Sequence, residues 1–115
     1  MPILAIGESM KMGATWVKVR LHGKKGYRDV EMLVDTGAIY TKISTSLARD
    51  IGVVPDEAVK MRLADGSVFD AGVGEARVEY GGIVIRTIPV LVGPGEQLLL
   101  GVTTLEILLG LLVSR

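Results

Sequence analysis

The 115 residues suffice for one domain, and 13 Lys and Arg against 13 Asp and Glu leave no net charge, which argues against a dedicated nucleic-acid binder. Cysteine is absent and His22 is the single histidine, which excludes disulfide scaffolds, thiol nucleophiles, cysteine-ligated zinc and histidine metal clusters. An aliphatic-rich composition, with 49% hydrophobic but only 4% aromatic residues, 15 Gly and 4 Pro, suits short strands joined by many turns.

Residues 1–14 read as an N-terminal extension and residues 15–115 as the domain. The apolar run from Ile3 to Ile6 lacks a basic region before it and is too short for a signal peptide. Residues 15–21 alternate, with Val17, Val19 and Leu21 on one face and Trp16, Lys18 and Arg20 on the other, as a half-buried strand does. His22-Gly23-Lys24-Lys25-Gly26 is a polar hairpin loop, with His22 solvated and the lysines serving solubility. Residues 28–34 alternate again, with Val30, Met32 and Val34 inward, and run into Asp35-Thr36-Gly37-Ala38.

A helix is predicted over 44–50. Ile43, Leu47 and Ile51 recur every fourth residue, Thr41 or Ser44 is the N-cap, and Gly52 stands at the C-terminal cap. Residues 53–56 connect it to two strands, 58–64 and 67–80, joined by a two-residue turn at Asp65-Gly66. Gly72 and Gly74 mark a bulge or bend. Residues 82–92 form another strand, Gly93-Pro94-Gly95 a turn, 97–100 a short strand and 102–109 a helix with Leu105, Leu108 and Leu109 in the core. The apolar stretch 98–113 is interrupted by Gly101, Thr103, Thr104, Glu106 and Gly110, and is shorter than the ~20 residues a membrane-spanning helix needs. The expectation is a cytoplasmic, soluble, mainly β domain with one or two short helices.

The residues with chemical potential are few. An Asp-Thr/Ser-Gly triplet arises by chance in roughly 5% of chains this long, so Asp35-Thr36-Gly37 alone is also an ordinary strand-to-turn motif. Asp70, Glu75 and Glu79 lie along one strand pattern and read as water-facing charges rather than metal ligands. Gly72-Val73-Gly74 starts like a dinucleotide fingerprint but lacks its third glycine.

Three features occur in order: Asp35-Thr36-Gly37-Ala38, a hairpin tip at Asp65-Gly66, and Leu99-Leu100-Gly101 leading into a helix. This order resembles the retropepsin-like aspartic proteases, the single-domain, retroviral-type relatives of pepsin. The run from Leu100 to Glu106 looks most like their prokaryotic, non-viral branch. The resemblance covers residues 15–109. It implies a closed, barrel-like, all-β acid-protease fold working as a two-fold homodimer. It also implies a catalytic Asp35, supported by Thr36, Gly37 and Ala38. Ala64, Asp65, Gly66 and Ser67 would form a substrate-binding flap, and Leu99, Leu100 and Gly101 would pack beneath the catalytic loop. Ile39, Val68 and Phe69 would be subsite walls. One Asp-Thr-Gly per chain means that the second carboxylate must come from a second copy. Residues 2–6 and 111–113 are candidate interface strands. The implied activity is hydrolysis of a peptide or protein substrate without metal or cofactor, and without nucleic-acid or membrane partners. Two other readings stand beside it. One is a non-catalytic dimeric module that binds extended peptides on the same fold; the other is an unrelated barrel with a chance triplet. The viral pattern carries Arg soon after the third-motif glycine, where this chain has Val102-Thr103-Thr104, and its flap is richer in glycine.

Overall fold

The computed structural model describes residues 8–11, 14–62 and 66–113. β1 (Glu8–Lys11) pairs antiparallel with β2 (Ala14–His22) of the same chain. β2 and β3 (Tyr27–Val34) form a hairpin with Trp16 opposite Leu33 and His22 opposite Tyr27. The alternation predicted for β2 holds: Val17, Val19 and Leu21 are buried. On β3, Met32 is fully buried, while Val30 and Val34 are half-buried against the core. Outside, Arg20 faces Asp29 across the hairpin and donates to both carboxylate oxygens, at 2.7 and 3.2 Å. Those hydrogen bonds hold the Asp29 carboxyl below its ordinary pKa.

His22 is not the freely solvated side chain expected. It is half-buried, with Nε2 3.1 Å from Glu79 Oε1, because the end of β2 also pairs with β6 (Val68–Tyr80). The hairpin tip docks on the protein body: the Lys25 amide donates to the Ile51 carbonyl at 2.9 Å. Gly23 makes this approach possible, since a Cβ there would lie 2.2 Å from the same carbonyl oxygen.

β4 (Thr41–Ser44) leads into α1 (Thr45–Ile51). Of the two candidate caps, Ser44 is the one used; its Oγ accepts the Leu47 amide at 3.1 Å. Gly52 ends the helix in the left-handed region at φ 81° and donates to the Ala48 carbonyl. β5 (Glu57–Arg62) and β6 form the next hairpin. A two-residue turn at Asp65-Gly66 would set Arg62 opposite Phe69, whereas Arg62 pairs with Val68, so the register is one residue off that expectation. Gly72 and Gly74 make no bulge; the ladder runs evenly from Gly72 to Ala76 and is irregular only between Ala76 and Val78. They leave room for the connector instead. A Cβ would lie 2.5 Å from Pro55 Cβ at Gly72 and 2.8 Å from Val53 Cγ1 at Gly74.

β7 (Ile83–Gly93) returns along β6 and β4, and β8 (Leu99–Leu100) precedes α2 (Val102–Val113). The helix runs four residues beyond the predicted end. Leu108 is buried and Leu105 packs on the core, but Leu109, one helical step further round, is 40% exposed and is not a core residue. Residues 111–113, a candidate interface strand, are the last turn of α2. The other candidate, residues 2–6, lies outside the described residues. Among the described residues no helix is long and apolar enough to cross a membrane.

The sheet order is β1-β2-β3-β8-β4-β7-β6-β5, and the extra β2–β6 pairing closes six strands into a ring. Leu21, Met32, Ile43, Ile88, Val90 and Leu100 are buried in the core. The mainly β architecture with two helices is the one the sequence leads one to expect. Its consequence for the site is that β8 lies between β3 and β4, which are themselves joined by residues 35–40.

Candidate active site

Asp35 stands where β3 leaves the sheet. Its amide still donates to the Leu100 carbonyl at 3.1 Å, as Leu33 does to Leu98 at 2.9 Å. Beyond this point the chain turns, with the Ala38 amide donating back to the Asp35 carbonyl at 3.1 Å. The Gly37 amide donates to Asp35 Oδ1 at 2.9 Å, which orients the carboxylate against its own loop. A Cβ on Gly37 would come within 3.3 Å of that oxygen, so the residue without one fits best. Asp35 and Ala38 are half-buried, whereas Thr36, Gly37, Ile39 and Tyr40 are exposed.

The loop is held from below. It leaves from β3 and re-enters through β4, straddling β8, which pairs parallel with β3 and antiparallel with β4. Leu100 is fully buried. Gly101 presses on the loop's end, where a Cβ would lie 2.4 Å from the Tyr40 carbonyl carbon. The first amides of a helix lack partners within it. In α2 the loop supplies them: Val102 donates to the Ala38 carbonyl at 2.7 Å and Thr103 to Ile39 at 3.2 Å. The helix start and the Asp35 loop thus stabilise each other.

Two buried threonines complete this clamp. Thr41 Oγ1 accepts the Gly101 amide at 3.1 Å and lies 2.8 Å from Thr104 Oγ1. Sequence reasoning missed both roles. In the sequence Thr41 reads as a helix cap, and Thr104 as an interruption of an apolar stretch and a departure from the viral pattern. The available signal was the pair of hydroxyls at 103 and 104 within a largely apolar segment. Lys42 was missed as well. Its ammonium donates to the carbonyls of Pro94, Gly95 and Gln97 at 2.8, 3.0 and 3.3 Å, tying down the loop that feeds β8. Partial burial pushes its pKa down.

Of the predicted site residues, Asp35–Ala38 and Leu99–Gly101 are brought together by these bonds. Gly66 and Ser67 belong to the separate β5–β6 hairpin, where Gly66 has φ 90° and both are exposed. Ala64 and Asp65 lie outside the described residues. Ile39 and Val68 are 63% and 51% exposed, and Phe69 pairs with Met61 on the hairpin. Among the described residues no group of three or more His, Asp or Glu could hold a metal ion.

Comparison with known families places this arrangement. Residues 17–107 match the family described as gag-polyprotein putative aspartyl protease, which spans most of the chain. The chain belongs to that family. The gag-type aspartyl protease fold also appears among solved structures. A retropepsin-like aspartic protease from Rickettsia conorii superposes with a TM-score of 0.62 at 21% identity, covering 82% of this chain and 71% of that one. EIAV protease in complex with an inhibitor superposes with a TM-score of 0.61 at 16% identity, covering 81% and 86%. At these identities the likeness is one of fold. No curated protein matches this aspartyl-protease chain in sequence.

Proposed function

We propose that this chain is a homodimeric aspartic endopeptidase whose dyad is Asp35 and the Asp35 of a second copy. The observation that carries the reading is the Asp35 carboxylate itself. It is fixed by the Gly37 amide on an exposed loop that is braced by β8 and α2. Two such loops facing each other across a two-fold axis bring two carboxylates together. Two carboxylates ~3 Å apart cannot both ionise, so one keeps a proton and the other is a base; aspartic proteases are the standard instance. The charged one takes a proton from water as the water oxygen bonds to the peptide carbonyl carbon. The protonated one gives its proton to the carbonyl oxygen. Breaking the C–N bond then passes a proton to the departing amine.

Thr36, exposed on the same loop, bonds across the axis to the backbone of the second copy. Residues 64–67 at the β5–β6 tip act as the flap that closes over the peptide and excludes water. Ile39 and Val68 line the bound peptide, favouring apolar side chains. The N-terminal extension 1–14 contributes to the interface, and the enzyme works without cofactor in the cytoplasm.

The test is cleavage of a diverse peptide library between pH 3 and 7 by wild type and Asp35→Asn. Loss of a general acid–base group predicts a fall of about 10² to 10⁴-fold. Equal cleavage by both proteins would sink the dyad. Undiminished peptide binding by an inactive wild-type dimer would favour the non-catalytic module.

A further inference from the structure

A second site lies at the opposite end of the β2–β3 hairpin. There β2, β6 and β7 meet, and the irregular pairing between Ala76 and Val78 sets one β6 residue, Arg77, against two β7 residues, Arg86 and Thr87. Such irregularities re-aim side chains. All three of these residues are exposed. With His22 and Lys24 from the hairpin, and Glu75, they line an open groove of about 280 Å³. Lys24, Arg77 and Arg86 make no side-chain hydrogen bond or ion pair among the described residues, unlike Arg20 and Lys60, which are committed to Asp29 and Asp70. Against one Glu75 carboxylate, the groove has two cations in excess. His22 adds none independently, since it is paired with Glu79.

The chain as a whole is neutral, so this excess is local. It is interrupted by the outward carboxylates of Glu75 and Glu79, which would repel a continuous polyanion such as a nucleic acid. The ring of Tyr27, beside His22, is already stacked on by Arg20 at 4.2 Å. Separate carboxylates on a peptide fit the groove better. β3 alone separates the groove from Asp35 by about 24 Å, at roughly 3.4 Å per strand residue. That is the reach of about seven extended residues, too far for direct contact with the reacting bond.

We propose that this groove docks an acidic segment of the protein substrate, at least about seven residues from the bond that is cut. The substrate role rests on the protease reading above; the docking of acidic peptide does not.

The experiment has two arms. In the first, fluorescein-labelled hexaglutamate is titrated into wild type, Asp35→Asn and the double variant Arg77→Ala/Arg86→Ala, with amide NMR shifts followed at Gly23 and Thr87. Saturable binding that is equal in wild type and Asp35→Asn, at least tenfold weaker in the double variant, and weaker at high salt is expected. No binding, or binding indifferent to Arg77 and Arg86, overturns the proposal. Tighter binding of a single-stranded DNA oligomer at the same amides overturns it in favour of nucleic acid. The same shifts produced by inorganic phosphate while hexaglutamate produces none reduce the groove to a small-anion pocket, and also overturn it. In the second arm, a cleaved peptide is extended by a glutamate tail seven or more residues from the scissile bond. About a tenfold lower KM at unchanged kcat, abolished by the double variant, upholds the substrate role. An unchanged KM overturns that role. Binding without any cleavage by wild type rejects the protease reading and leaves acidic docking upheld.

Discussion

At the scale of single residues, the Asp35 loop is a problem in satisfying polar groups. Its carbonyls at Ala38 and Ile39 and the amides that open α2 are paired with one another, while the buried Gly101 amide depends on Thr41. An orphaned buried hydrogen-bonding group costs about 1–3 kcal/mol. Thr41→Val strands both the Gly101 amide and the Thr104 hydroxyl, whereas after Thr104→Val the Thr41 oxygen still accepts the Gly101 amide. Urea unfolding is expected to show the larger loss for Thr41→Val, and a double variant less destabilised than the sum of the two. The Arg20–Asp29 pair is a different case, lying at the surface with its side chains 38% and 47% exposed. Its folded carboxyl pKa lies below the ordinary 3.8. The stabilisation is therefore complete above that value and disappears as pH falls through the folded pKa. The gap in Tm between wild type and Asp29→Asn should be present at neutral pH and close in strong acid, on thermal melts across pH 2–7.

At the scale of elements, α1 shows local signals and tertiary contacts agreeing. Ser44 caps it, Arg49 in the last turn complements the helix dipole, and Gly52 closes it. Because the cap is itself buried, Ser44→Ala is expected to lose about 1 kcal/mol or somewhat more in chemical denaturation. The boundaries of α1 were legible because a helix of this kind carries its start and stop in adjacent residues. The extent of α2 was less so. The sequence predicts an end at 109, yet the helix continues through Gly110, where a Cβ would meet nothing within 4 Å, to Val113. Gly72 and Gly74 do not mark the bulge that was one of their two readings. In sequence a glycine in a strand signals a bulge, but here each admits a distant segment, and the irregularity falls at the Ala76–Val78 step.

At the scale of the molecule, one chain presents one Asp35 on an exposed loop flanked by exposed Thr36, Ile39 and Tyr40. The proposed activity requires that surface to meet its copy. Sedimentation is expected to find a dimer at micromolar concentration. Thr36→Val should weaken it about tenfold, equivalent to ~1.4 kcal/mol, with the circular dichroism of the chain unchanged. A wild type that is monomeric at every concentration tested would remove the basis for a shared dyad.

The sequence by itself determined most of the strands, though not β1 or β4, together with the capped helix and the position of Asp35. Alternation, cap residues and turn glycines are local properties, written within a few positions of where they act. It also carried the family, because Asp35-Thr36-Gly37-Ala38 and Leu99-Leu100-Gly101 recur in order. Only the tertiary structure decided what lies next to what. β8 enters between β3 and β4 from more than fifty residues away, Thr41 finds Thr104, Lys42 finds the 94–97 loop, and His22 finds Glu79. The His22–Glu79 pair forms where β2 and β6 close the ring, and ring closure is a property of all six strands together rather than of any one segment.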